Sequence, residues 1–131
     1  MELQFSGWVN GFSMWPNLFP GDILRTVWTE AGSISSSQIV VFPDAGGEGF
    51  VVHRVCWVRY LNERLILATQ GDSSGRDDFL LELSPTCPIR VVNGVLRRGN
   101  YKPVMHIRIP IWLRRRKIME LSTRLARLYY W

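Results

Sequence analysis

Two cysteines, Cys56 and Cys87, stand in the whole chain. That is too few for a disulfide framework or a zinc site, and it fits a reducing compartment. Lysine is as scarce. Lys102 and Lys117 are the only two, and both fall late. Histidine also occurs twice, at 53 and 106. No apolar run approaches the roughly 18 residues that would mark a bilayer-spanning helix. No basic segment followed by an apolar stretch and a small-residue cleavage site opens the chain. These absences lead to the expectation of a cytoplasmic protein, peripheral at most to a membrane surface, with no metal and no cofactor. Repeats are absent, and low-complexity sequence is limited to Ser35-Ser36-Ser37.

What is present describes a small globular body with a cationic tail. The 131 residues leave room for one domain with one core. An apolar share of 47% beside 21% charged residues argues against disorder. The net charge of +5 is unevenly placed. Arg114, Arg115, Arg116, Lys117, Arg124 and Arg127 face only Glu120 in residues 111–131, so the preceding 110 residues balance to zero. Nucleic acid is therefore not an expected partner of the body.

Along the chain, Leu3 to Val9, Ile23 to Trp28, Ile39 to Phe42, Phe50 to Tyr60, Leu65 to Thr69, Ile89 to Leu96 and Val104 to Ile109 read as strands. Glycine-rich or polar turns separate them, notably Asp44 to Gly49, Asn62-Glu63 and Gly99-Asn100. Many short strands with turn signals predict a mainly β fold, a compact barrel or folded sheet over residues 1–110. Residues 111–131 predict a basic amphipathic helix, with Ile118, Leu121, Leu125 and Leu128 on one face. That helix would dock on the body, on an acidic partner or on an anionic membrane, where its flanking aromatics suit the interface.

The stretch Gly11-Phe12-Ser13-Met14-Trp15-Pro16, continuing to Gly21-Asp22, carries the first chemical signal. A serine between glycine and proline sits on a constrained turn, which is what a nucleophile requires: a fixed hydroxyl beside backbone N–H groups. The alternative is an ordinary turn whose serine bonds its own backbone. The second signal is Val52-His53-Arg54-Val55, forty residues on, where a neutral imidazole is able to accept the serine proton. A lone strand histidine is also a common structural residue. The third is Gly71-Asp72-Ser73-Ser74-Gly75-Arg76-Asp77-Asp78, an acidic polar loop, solvated on the bland reading.

Taken in order, these three segments resemble the boxes of type I signal peptidases and the related self-cleaving repressor peptidases. Gly11-x-Ser13-Met14-x-Pro16 with Gly21-Asp22 is similar to their nucleophile box. Val52-His53-Arg54-Val55 resembles the branch that uses histidine in place of lysine, found in archaeal and endoplasmic-reticulum signal peptidases. The resemblance covers residues 5 to about 98 and includes no transmembrane anchor. It implies a signal-peptidase-like β fold and a serine endopeptidase with Ser13 as nucleophile, His53 as general base and Asp78 as the carboxylate that orients His53. Asp72 and Asp77 become supporting residues, with Asp72 bracing the loop or the Ser13 turn. The oxyanion hole falls to the backbone N–H of Ser13 and to the backbone of Gly11. Asn17 departs from the threonine frequent in the family and implies a weaker supporting hydrogen bond. His106 has no counterpart and reads as structural. The implied substrate is an extended leader or precursor peptide, cut after a small residue. The alternative is a non-catalytic peptide- or membrane-binding adaptor that keeps the fold.

Overall fold

Ile39-Val40-Val41-Phe42 alternates between two apolar clusters and so explains why the sheet is covered on both sides. Ile39 and Val41 point into one cluster with Met14, Leu18, Leu24, Val92 and Val95. Val40 and Phe42 point into the other, with Val55, Leu65, Leu67, Ile89 and Val91. Side chains alternate faces along a strand, so an unbroken branched run is stable only where both faces are buried.

The computed structural model describes residues 3–9, 11, 13–47, 49–73 and 79–107. Within them the strands are β1 Leu3–Trp8, β2 Ile23–Glu30, β3 Ile39–Pro43, β4 Phe50–Leu61, β5 Arg64–Gln70, β6 Phe79–Leu83, β7 Pro88–Arg97 and β8 Asn100–Lys102. Every pairing is antiparallel. The order across the sheet is β1-β2-β7-β3-β4-β5-β6, with β8 added on β7. The chain is thus mainly β, as the turn-punctuated strands predict. β1 and β6 end the path, and no pairing between them closes it among the described residues.

Two local devices set the register. Asn62 and Glu63 both adopt positive φ, 50° and 64°, between the paired residues Leu61 and Arg64. Two left-handed residues give the turn twist that matches flanking strands. In β7 a bulge at Asn93 lies opposite the Arg25–Thr26 step. The extra residue changes the phase, so Val92 and Val95 both reach the cluster that holds Leu24.

Two expectations need correction. Residues 104–107 form no strand, and the last pairing is the short β8 after the Arg98-Gly99 turn. The segment is instead held by side chains: Arg54 donates to the Met105 carbonyl at 2.7 Å, and Asn17 bonds both backbone groups of Ile107. In addition, Phe79–Leu83 is a strand that the polar reading of the preceding loop did not anticipate. The helix expected over 111–131 lies outside the described residues. No helix among the described residues is long and apolar enough to cross a membrane.

Candidate active site

The connection from β1 to β2 is a loop with a closed neck. The Gly21 N–H donates to the Val9 carbonyl at 2.7 Å, and the Val9 N–H donates to the Asp22 carbonyl at 2.9 Å. Inside it the Met14 carbonyl accepts N–H bonds from Asn17 and Leu18 at 2.9 and 3.0 Å, making a single helical turn. Met14 and Leu18 are buried and plug this turn into the core. Ser13, just before the plug, remains exposed.

His53 reaches the same place from β4. Its strand pairs it with Val40 of β3, in the middle of the sheet. The residue is 7% exposed, and its ring packs at a tilt on Phe79, with ring centroids 5.6 Å apart. Gly71 follows β5, whose Gln70 pairs with Arg54, so the chain leaves β5 beside His53. A Cβ at position 71 would lie 2.7 Å from the Ser13 carbonyl oxygen, 3.1 Å from the Ser13 Cβ and 3.3 Å from Nε2 of His53. Ser13 and the outer nitrogen of His53 therefore converge on one point, and only a glycine fits behind it.

The loop after Gly71 fastens the serine further. The Ser73 N–H and hydroxyl both donate to the Ser13 carbonyl, at 2.9 and 3.0 Å. Ser13 and His53 open on a cleft of about 260 Å³, whose walls include Gly11, Phe50, Val52 and Phe79. The space around Gly11 is clear to 4 Å where a Cβ would stand. Among the described residues the Ser13 N–H has no acceptor, so it is available to a developing oxyanion.

Asp72 does not face this cleft as an orienting carboxylate. Its two oxygens take Nε–H and Nη2–H bonds from Arg54 at 2.8 and 2.9 Å, and Oδ2 also accepts from the Asn17 amide at 2.7 Å. Arg54 donates further to the Ser37 and Met105 carbonyls, both at 2.7 Å. The pair is buried, with side chains 7% and 6% exposed. Burial of both charges is offset by this full set of partners. Asp72 thereby links β4, the serine turn and the segment at 105–107. Asp77 and Asp78 lie outside the described residues.

The other Gly-Asp pair has the same architecture. Asp22 is fully buried, and Arg97 of β7 meets it at 2.8 and 2.7 Å. The Phe19 N–H caps the same carboxylate at 2.8 Å. The serine turn is thus held from both sides by two-pronged arginine–aspartate pairs. Arg54, Gly71 and Arg97 were not singled out by the sequence reading as site residues. Arg54 carried one signal, because strand alternation puts it on the opposite face from His53. Arg97 carried none. Asn17, for which the resemblance implies weaker support, makes three side-chain bonds, one to Asp72 and two to the backbone of Ile107.

Among the described residues no cluster of histidine, cysteine, aspartate and glutamate could hold a metal ion. The chain matches no protein-family model, and no curated protein or solved structure is significantly similar to it.

Proposed function

We propose that this chain is a serine endopeptidase of the signal-peptidase type, with Ser13 as nucleophile and His53 as general base. The observation that carries the reading is the convergence of Ser13 and His53 Nε2 on Gly71, at the wall of an open cleft. Asp78, the second residue of the Asp77-Asp78 pair, takes the role of orienting His53 that the resemblance implies, with Asp77 as its support. The serine turn, held by Asp22 and Asp72, supplies the rigid mounting that nucleophilic catalysis needs.

The chemistry follows from these roles. The Ser13 oxygen attacks a peptide carbonyl while His53 Nε2 takes its proton. The carbonyl oxygen becomes an oxyanion beside the Ser13 N–H and the Gly11 backbone. The intermediate collapses, the C–N bond breaks, and the imidazolium returns the proton to the departing amine. Water then enters, gives a proton to His53 and attacks the acyl carbonyl. The ester bond breaks, the carboxyl product leaves, and the proton passes from His53 back to Ser13.

A serine-reactive phosphonate tests this directly. The expected result is a single covalent adduct on the peptide containing Ser13, absent from Ser13→Ala and strongly slowed in His53→Ala. No adduct on folded protein, together with retained peptide binding, would favour the adaptor reading instead.

A further inference from the structure

A second opening begins where the catalytic cleft ends. Phe50 lines both the cleft and an apolar groove of about 350 Å³. The groove is floored by Phe42 and Ile89 and walled on one side by Leu81 and Leu83 of β6. β6 runs alongside both openings. Its inward residues alternate, so Phe79 faces the cleft while Leu81 and Leu83 face the groove. Among the described residues β6 ends the sheet and pairs only with β5, with no strand on its other edge, the arrangement to which a further strand adds.

The rim of the groove is aromatic and cationic. Phe50 and Trp28 are 61% and 44% exposed. The Arg90 guanidinium lies between them, 4.9 Å from the Phe50 ring centroid and 5.3 Å from that of Trp28. No carboxylate pairs with Arg90 among the described residues. The groove therefore offers apolar contact below and a positive charge, already oriented by two rings, at its lip.

We propose that this groove binds the substrate away from the scissile bond, taking a large apolar side chain that lies next to an acidic one in an extended segment. The apolar residue fills the space beside Leu81 and Leu83, and the carboxylate meets Arg90. The peptide backbone adds to the open edge of β6, the mode in which main-chain bonds give affinity and alternate pockets give specificity. Phe50 stands three residues before His53 on β4. At about 3.3 Å per residue the groove starts roughly 10 Å from the base, three to four substrate residues from the cut. The proposal rests on the peptidase reading for what it calls substrate, but not for the binding itself.

The test uses the full chain carrying Ser13→Ala, so that binding is read without turnover. Three fluorescein-labelled decapeptides are compared by anisotropy, each with an alanine at the expected cut. The first carries a leucine-glutamate pair four residues away, the second leucine-lysine, the third serine-glutamate. Both changed peptides should bind about tenfold more weakly than the first, the effect of losing one charge-assisted contact or one buried side chain. Arg90→Glu should reverse the preference between glutamate and lysine peptides. Equal affinity of the three peptides for the Ser13→Ala chain overturns the groove, whatever Arg90→Glu does to folding. Selective binding with no phosphonate adduct in the wild-type chain would overturn the peptidase reading and leave the groove standing. An adduct with no peptide selectivity would do the reverse.

Discussion

Arg54 and His53 are chain neighbours that work on opposite faces of β4. His53 points with Phe79 to the cleft beside Ser13, and Arg54 points away to grip Asp72 at 2.8 and 2.9 Å. Asp72 in turn follows Gly71, the residue wedged between Ser13 and His53 Nε2. The ion pair therefore locks the loop that sets the distance between the two candidate catalytic groups.

Breaking that pair should cost stability first. Arg54→Met leaves the Asp72 carboxylate buried with only Asn17 for a partner, and a buried charge that loses its partner typically costs about 3–5 kcal/mol. Urea unfolding should show a loss of that order. Asp72→Asn should lose less, because the amide oxygen still accepts from Arg54. A midpoint for Arg54→Met within error of wild type would mean that the pair does not brace the loop.

Gly71→Ala makes the opposite separation, between activity and fold. The added methyl would meet the Ser13 carbonyl oxygen at 2.7 Å, which is backbone and yields only by moving Ser13, the proposed nucleophile. Overpacking of this kind costs about 1–3 kcal/mol. Displacing a nucleophile by a fraction of an ångström to one ångström costs on the order of a hundredfold in rate. Phosphonate labelling of Ser13 should slow by about that factor, in protein that still melts cooperatively. Labelling at the wild-type rate would show that Gly71 does not set the Ser13–His53 geometry.

Much of this fold was legible because strand signals are local. Ile39 to Phe42 and Phe50 to Tyr60 announce themselves by branched and aromatic runs between turn residues, and Asn62-Glu63 marks its hairpin. Phe79–Leu83 does not, because Phe79-Leu80-Leu81-Glu82-Leu83 holds no β-branched residue and so lacks the composition that marks the other strands. Val104 to Ile109 looked like a strand on composition, yet 104–107 is held by Arg54 and Asn17 and joins no ladder. Such partners are 51 and 90 residues away in sequence, and nothing local encodes them. The site shows the same division. Ser13 and His53 are readable as candidates, and the structure brings the two together at Gly71. The arginines that hold Asp72 and Asp22 come from distant strands and became visible only with the register of β4 and β7.

Asp78 should matter to rate and not to stability. If it orients His53, Asp78→Asn removes the acceptor that fixes the imidazole tautomer, a change worth about four orders of magnitude in a Ser-His-Asp site. Peptide cleavage or labelling should fall steeply while the unfolding midpoint holds. Asp77→Asn should be milder. A larger loss at Asp77 would transfer the orienting role to that residue.

Asn17→Thr would install the residue frequent in the resembling family, and here it should weaken the protein. Asn17 is 3% exposed and its amide works in both directions. Nδ2 donates to Asp72 at 2.7 Å and to the Ile107 carbonyl at 3.0 Å, while Oδ1 accepts the Ile107 N–H at 2.7 Å. A threonine hydroxyl has one donor proton, so it serves Asp72 or the Ile107 carbonyl but not both. Its shorter, branched side chain also draws the oxygen away from the Ile107 N–H. At least one backbone group of Ile107 then loses its protein partner, at a cost of about 1–3 kcal/mol if it stays buried. The expected result is a lower urea midpoint with phosphonate labelling of Ser13 within a few-fold of wild type, since the Arg54–Asp72 pair remains. Hydrogen exchange at the Ile107 amide gives the local readout and should accelerate. An unchanged midpoint and unchanged exchange at Ile107 would show that the two-way clamp adds nothing to the hold on the serine turn.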